Sequence, residues 1–468
     1  MRPIPLIRRA AVSFRLIAAA ALVGGAWAAQ AAELARVEGF GPASRGFAGG
    51  GVAHATGAAA SLLNPAELLS IDGDHAFQFQ FTEIQARIEV INTATGEGIR
   101  NQGLGANRGP YDLPEIAFAL RRGNWAFGTG LIAAGGFGIE FGRDSFLSRT
   151  TTNNVATGLR ISSRVGLLRV PFAVAWRPHP QWRVGASLDY VNGSANLASL
   201  LDVQQIGGLI QSGRATGSLV PVLAGIPNLS GAHFDFVRNN YLASELATQG
   251  IGGRVGVTWQ PLPSTSVAIG YEFRTRLGNY KGRGTVTAID GSNNQIALAG
   301  RGQLPELQFP DGWLIGVSHQ LAPTFSVIAD LRHMFWSQSL GNTVVTFAAD
   351  SGGDLRVSLP TGFRDITTLA VGAEWQFRPA WTLRVGGSHA FQQLQDSSAL
   401  NAVFSTTTRN HLTSTLVWRL AQAHDIGLGL SYGFTPAVRN SGGNVNSVPA
   451  IEVRNRQINP SLSYGYRF

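Results

Sequence analysis

From His75 to the C-terminus, apolar and polar residues alternate. In 182–190, Trp182, Val184, Ala186, Leu188 and Tyr190 share one parity, and Arg183, Gly185, Ser187 and Asp189 the other. In 266–276, Val267, Ile269, Tyr271 and Phe273 oppose Ser266, Glu272, Arg274 and Arg276. In 366–378, Leu369, Val371, Ala373, Trp375 and Phe377 oppose Glu374, Gln376 and Arg378. A period of two is that of a β-strand, whose side chains point to alternate faces. Pro and small residues mark the short turns, with aromatics at the strand ends. Val174–Tyr190, Val257–Phe273 and Ala373–Phe391 repeat this hairpin unit, and Val317–Leu331 and Leu416–Tyr432 are degenerate copies. Arg121–Asn124 makes a sixth short turn.

The pattern predicts strands over 75–91, 113–122, 125–141, 158–177, 182–197, 250–260, 265–288, 303–321, 324–340, 364–378, 381–395, 409–420, 424–438 and 452–468. That is about 14 strands, an even number, with short turns alternating with longer loops as in bacterial outer-membrane barrels. A soluble β-sandwich with one wet face shares the alternation. Long strands, aromatics at strand ends and charges on a single parity favour the membrane. There a charge facing lipid at mid-bilayer costs about 2–4 kcal/mol. The expected fold is all-β: an antiparallel transmembrane β-barrel over 75–468.

Three stretches depart from the alternation. Residues 32–74 contain the glycine-rich segment Gly39–Leu69, barely charged and ending in Asn64-Pro65-Ala66. It has neither a helical nor a strand period. It reads as a compact plug held in the barrel lumen, and its alternative is an unstructured linker. Strand three contains Ala133-Ala134-Gly135-Gly136-Phe137-Gly138. Glycine there marks a bulge or bend, hence either a doorway in the wall or innocent curvature. Residues 198–249, between strands five and six, are too long for a plain connection. Leu197, Leu200, Leu201, Ile206, Leu209 and Ile210 have roughly helical spacing, and Tyr241, Leu242, Ala243 and Leu246 suggest a second short helix. The loop either folds on the barrel mouth or contacts something apolar, or it forms a lid packed on itself.

Composition sets the compartment and excludes most chemistry. Residues 1–31 carry Arg2, Arg8, Arg9 and Arg15 before an apolar run, Leu16 to Ala28, followed by small residues. This is an export signal, too short for the roughly 20 apolar residues of a spanning helix. No later segment has the 18 consecutive apolar residues of a transmembrane helix. The formal charge is +9, yet Lys281 is the only lysine and no Lys/Arg-rich run occurs, so no nucleic acid is expected. There is no Cys. The nine His show no metal spacing. No His-Glu-x-x-His occurs, and the one Gly-x-Ser-x-Gly match, Gly429–Gly433, lies within the strand expected over 424–438 and not on the strand-to-helix turn of a nucleophile elbow. His411 and Ser414 lie on opposite parities, which argues against a hydrolase. No enzyme activity, cofactor or metal is expected. A general porin is the other alternative; it predicts an open, charge-lined lumen without a plug.

The residues resemble the FadL/TodX family of outer-membrane transporters for hydrophobic compounds. The resemblance rests on the glycine-rich segment ending in Asn64-Pro65-Ala66, then Leu113-Pro114-Glu115 before the glycine-interrupted strand. It is extended by Leu304-Pro305 and by Leu331–Gln338 (LRHMFWSQ). It implies a monomeric barrel closed by an N-terminal hatch, with no energy source, in the outer membrane of a Gram-negative bacterium. Substrate would bind a groove in the extracellular loops, within 198–249. It would move to an apolar pocket beside the hatch and leave sideways through a kink in strand three. Carried onto this sequence, the hatch motif is Asn64, Pro65 and Ala66. The lateral opening is Gly135, Gly136, Phe137 and Gly138, near that motif. Long-chain fatty acids are the first expected substrate and aromatic hydrocarbons the alternative; Arg160, Arg164 and Arg169 are candidate carboxylate contacts. The expected surroundings are outer-membrane lipid and lipopolysaccharide. The barrel assembly machinery would read the aromatic C-terminal strand Tyr464–Phe468.

A barrel of this kind resists unfolding in cold detergent and changes electrophoretic mobility on boiling. Identical mobility before and after boiling would instead indicate the soluble sandwich.

Overall fold

The computed structural model describes residues 36–101, 111–240, 243–305, 307–391, 400–404 and 408–468. The expected export signal and the helix position at Tyr241 and Leu242 lie outside the described residues. The wall is a ring of antiparallel strands. In order they are His75–Asn92 (β1), Tyr111–Arg122 (β2), Trp125–Gly142 (β3), Ile161–His179 (β4), Trp182–Asp202 (β5), Leu246–Leu262 (β6) and Thr265–Leu277 (β7). Gly312–Ala322 (β8), Phe325–Met334 (β9), Ile366–Arg378 (β10), Trp381–Phe391 (β11), Asn410–Ala421 (β12), His424–Asn440 (β13) and Ile451–Arg467 (β14) follow. Each pairs with the next. The ring closes where β14 pairs with β1, from Ala76↔Arg467 to Asn92↔Ile451.

Among the described residues the whole sheet holds 21 strands, more than the number expected. The surplus lies in the long loops. The strand expected over 265–288 leaves the ring after Leu277, and Tyr280–Asp290 pairs instead with Gln295–Leu304 and Leu229–Phe236. Gln295–Leu304 pairs with Asn342–Ala349, which pairs with Asp354–Pro360. Periodicity cannot separate these hairpins from the wall, because a strand alternates wherever one face is covered. The ring strands expected over 303–321 and 324–340 are accordingly shorter.

In the 198–249 loop, Leu197–Asp202 extends β5, and the first helix runs Val203–Gln211. Asp202 starts it. Its side chain accepts from Gln204 N at 2.9 Å, and Gln205 Oε1 accepts from Asp202 N at 2.9 Å, a reciprocal cap. A second helix forms at Leu219–Ala224, not at the expected site; Leu246 instead opens β6. Leu201, Leu209, Leu219, Leu223, Phe234, Val286, Phe347 and Leu355 pack into one apolar cluster. The same cluster takes in Val165, Val191, Leu277, Met334 and Ile366 of the wall, so the loop elements bury their apolar faces against one another and against the barrel mouth.

The alternation on the wall is realised in space. Leu188 is 60 % exposed and its neighbour Asp189 is fully buried. Ile269 and Phe273 face outward while Glu272 between them faces inward and is buried. Trp125–Trp176, Trp182–Trp259 and Trp381–Trp418 stack across neighbouring strands at 5.6–5.8 Å, all beside short turns. They form an aromatic belt at that rim.

Residues 36–71 sit inside the ring, where they touch strands on every side. Thr258 of β6 accepts from Asn64 Nδ2 at 3.1 Å. Asp330 of β9 accepts from Gly51 N and Val52 N. Thr413 of β12 accepts from Ala48 N at 3.0 Å. Glu115 of β2 accepts from Gly41 N at 2.7 Å. The segment folds as a helix over Gly41–Gly46 and 3₁₀ turns over Gly57–Leu62 and Pro65–Ser70. Arg45 is its buried anchor. Its guanidinium pairs with Glu115 and lies 3.4 Å from Glu38. Burial works against the charged form of Glu38, but Arg45 and then His411 outweigh it and hold the carboxyl below its ordinary range.

Arg45→Ala leaves two carboxylates buried without their cation, which costs about 3–5 kcal/mol. The urea midpoint in detergent should fall, and adding Glu38→Gln and Glu115→Gln should recover much of the loss. An unchanged midpoint in Arg45→Ala would show that the pair does not anchor the segment.

Candidate functional site

The ring is incomplete between β2 and β3. Their ladder runs from Arg122↔Trp125 to Glu115↔Ile132 and stops. Beyond it, Tyr111–Pro114 of β2 remains paired with β1, while β3 continues along β4 as far as Gly142↔Ile161. The two strands diverge, and among the described residues β3 has no ladder partner on that side over 133–142. The cause is local. Ala133 pairs with Leu168 and Gly135 with Leu167, so Ala134 is an extra residue in β3. One residue opposite none bends the strand. Gly136 then takes φ 152°, and a Cβ there would strike the Val165 carbonyl; only glycine fits.

The bulge also reverses the faces of β3. Before it, odd-numbered residues face out: Phe127 is 48 % and Leu131 42 % exposed. After it, odd-numbered Ile139 and Phe141 are buried. A one-residue slip exchanges the faces because the side-chain period is two.

The gap opens on a cavity of about 350 Å³. Tyr111, Leu113 and Pro114 line it from β2, and Gly135, Gly136, Phe137 and Gly138 from β3. Arg36, Val37 and Glu38 line it from inside the ring, with His411 and Gln457 beyond. Arg36 forms an antiparallel bridge with Gly135 on the edge that β2 has left. The Arg36 guanidinium reaches Glu272 at 2.5 Å. Glu272 also holds Arg254 at 2.6 Å and Arg169 at 3.0 Å, and Asp189 holds the same two arginines. This buried network ties the N-terminal segment to β4, β5, β6 and β7.

The four strand-three residues singled out from sequence therefore line one cavity, and Arg164 joins them. Arg164 also donates to the Asn240 carbonyl at 3.2 Å. Arg160 does not line the cavity; its Nε lies 3.6 Å from Glu140 Oε2. Arg169 is not placed for a substrate carboxylate, because it is buried and committed to Asp189 and Glu272. Asn64, Pro65 and Ala66 do not line this cavity either, against the expectation that they flank the opening. Asn64 caps the Pro65–Ser70 turn, accepting from Ala66 N at 3.1 Å and donating to the Val52 carbonyl at 2.8 Å. The motif seats against β5 and β6, where a Cβ on Gly185 would strike Ala66 N and one on Gly256 would strike Asn64 Oδ1. Sequence reasoning missed Arg36, Glu38 and Gln457, whose place depends on contacts across the ring. His411 was weighed only as a nucleophile's partner. It faces the cavity, 3.0 Å from Gln457 Nε2, while Ser414 faces outward. Among the described residues no group of three or more His, Asp or Glu could hold a metal ion.

The family model of outer-membrane transport proteins (OMPP1/FadL/TodX) matches residues 19–468. The chain belongs to this FadL/TodX family. It is thus an outer-membrane transport protein for hydrophobic compounds. The toluene transporter TodX of Pseudomonas putida superposes with a TM-score of 0.82 at 29 % identity, over 92 % of this chain and 99 % of TodX. The toluene transporter TbuX of Ralstonia pickettii superposes at 0.77 and 35 % identity, over 92 % and 99 %. A Pseudomonas aeruginosa FadL homologue shares the fold at 0.69 and 16 % identity, over 93 % and 100 %. No curated protein matches the chain.

Deleting Ala134 removes the bulge from this FadL/TodX barrel. Phe137 stays opposite Val165 and keeps its inward face, while the strand straightens and β3 should pair with β2 for longer. Transport should fall at least tenfold with surface expression intact, and a deletion variant with full transport would show that the bulge is not used.

Proposed function

We propose that this FadL/TodX chain passes monoaromatic hydrocarbons of the toluene class through the outer membrane by passive diffusion. The observation that carries the reading is the gap between β2 and β3, whose two edges line the cavity. Substrate enters from the loop side and leaves sideways into the bilayer. The route needs no energy input, since burial of each CH₂ is worth about 0.8 kcal/mol. The obstacle it overcomes is the polar lipopolysaccharide surface. The fourteen strands β1–β14 are the spanning wall, and the other seven of the 21 extend the loops on the extracellular side. Residues 36–74 act as the plug that closes the lumen from the periplasm, and Asn64-Pro65-Ala66 fastens the plug to β5 and β6. Similarity to toluene transporters at 29–35 % identity supports the aromatic substrate. Long-chain fatty acids are the second reading, favoured by the guanidinium of Arg164 on the cavity wall, which suits a carboxylate.

Cells lacking their own transporters of this kind should take up labelled toluene when given this chain, faster than vector controls. Labelled oleate should show the smaller stimulation. Equal or larger stimulation by oleate would replace the aromatic reading with the fatty-acid one, and no stimulation by either would remove both.

Deletion of residues 39–69 should raise single-channel conductance in planar bilayers several-fold. Wild-type conductance in the deletion variant would show that the segment is not a plug.

A further inference from the structure

A second cavity lies against the first. It measures about 30 Å³ and its wall is almost wholly apolar, formed by Leu197, Leu304, Leu340 and Phe363 among others. It sits on the lid side, against the cluster that holds the loops together. Among the described residues only Phe137 and Val165 line both cavities. They face each other as cross-strand partners on β3 and β4. Val165 is β-branched and stiff at χ1. Phe137 is the large movable group of the pair, and it stands between Gly136 and Gly138 on the segment whose outer edge β2 has left.

We propose that the Phe137 ring is the door between the lid-side cavity and the lateral cavity, and so sets the rate at which a hydrophobic ligand passes between them. Size makes a door necessary. An apolar cavity of about 150 Å³ is enough to take benzene. The lateral cavity exceeds that volume and the lid-side cavity falls well short of it. A ring-sized ligand therefore cannot occupy the upper space unless its wall moves, and the wall it shares with the lower space is this side chain. The bulge at Ala134 explains why an aromatic stands here. Without the reversal of faces, residue 137 would point at lipid with Phe127 and Leu131. The reversal turns it inward, where apolar neighbours receive its ring. A ring moving between two apolar environments exposes little new surface to water, so the door opens without a large hydrophobic penalty.

The test rests on the transport reading only in its second arm. The chain has no cysteine, so Leu340→Cys places a unique thiol in the lid-side cavity. Benzyl methanethiosulfonate partitioned into the lipid of proteoliposomes reaches it through the lateral cavity, and a charged methanethiosulfonate confined to the water measures entry from the loop side for subtraction. Relative to the Leu340→Cys parent, adding Phe137→Ala should speed modification about tenfold, and adding Phe137→Trp should slow it by a similar factor. Heat-shift mobility confirms assembly, and if the alanine variant does not assemble the tryptophan variant decides. Rates within a factor of two of the parent in the assembled variants would overturn the door. Toluene uptake measured on the same Phe137 changes separates the two readings. Thiol rates that follow ring size without any protein-dependent toluene uptake keep the door and remove the toluene reading. Protein-dependent uptake with flat thiol rates removes the door and keeps the function.

Discussion

A polypeptide inside hydrocarbon must satisfy each backbone N–H and C=O from within, because no water is there to do it. The wall of this protein meets that demand by closing β14 on β1. It breaks the rule in one described place, the stretch of β3 beyond Ile132 that β2 does not follow. The break is lined rather than bare. Arg36 bridges to Gly135, and a cavity lined by both polar and apolar side chains occupies the rest. The N-terminal segment, the bulge and the cavity are therefore one feature: a gap in the ladder is tolerable only where protein or an enclosed space faces it.

The interior charges follow from the same constraint. Arg169, Arg254 and Arg36 meet Asp189 and Glu272 across four strands and the N-terminal segment. Buried ions of this kind are weak evidence for stability, because desolvation offsets most of the attraction, but removing one partner is costly. Their effect here is positional. Glu272 holds Arg36, and Arg36 is the residue set against the open edge of β3. The same pairing withdraws Arg169 from any role with a substrate carboxylate.

Much of the fold was legible because a spanning strand has two solvents. Lipid on one side and a polar interior on the other write the period of two into the residues, as at Leu188 and Asp189. The Asn64 cap was also readable, since it forms with a backbone amide two residues away. Its neighbours were not, because Gly185 and Gly256 reach it only once the ring has closed. The loop hairpins misled the strand assignment at 265–288, since a strand covered by a lid alternates just as one facing lipid does.

The sequence by itself determined the alternation, the glycine run in strand three and the unpatterned glycine-rich segment, all local consequences of side-chain spacing and backbone freedom. It thereby favoured a barrel over a sandwich and marked where the wall would bend, and the β14–β1 pairing showed the closure. Only the tertiary structure decided that Ala134 is the bulged residue, that Phe137 consequently turns inward, and that Arg36 lies on the exposed edge. The physical reason is register. The face a strand residue presents depends on its partner across the ladder, and partners such as Gly135 and Leu167 are brought together only by folding.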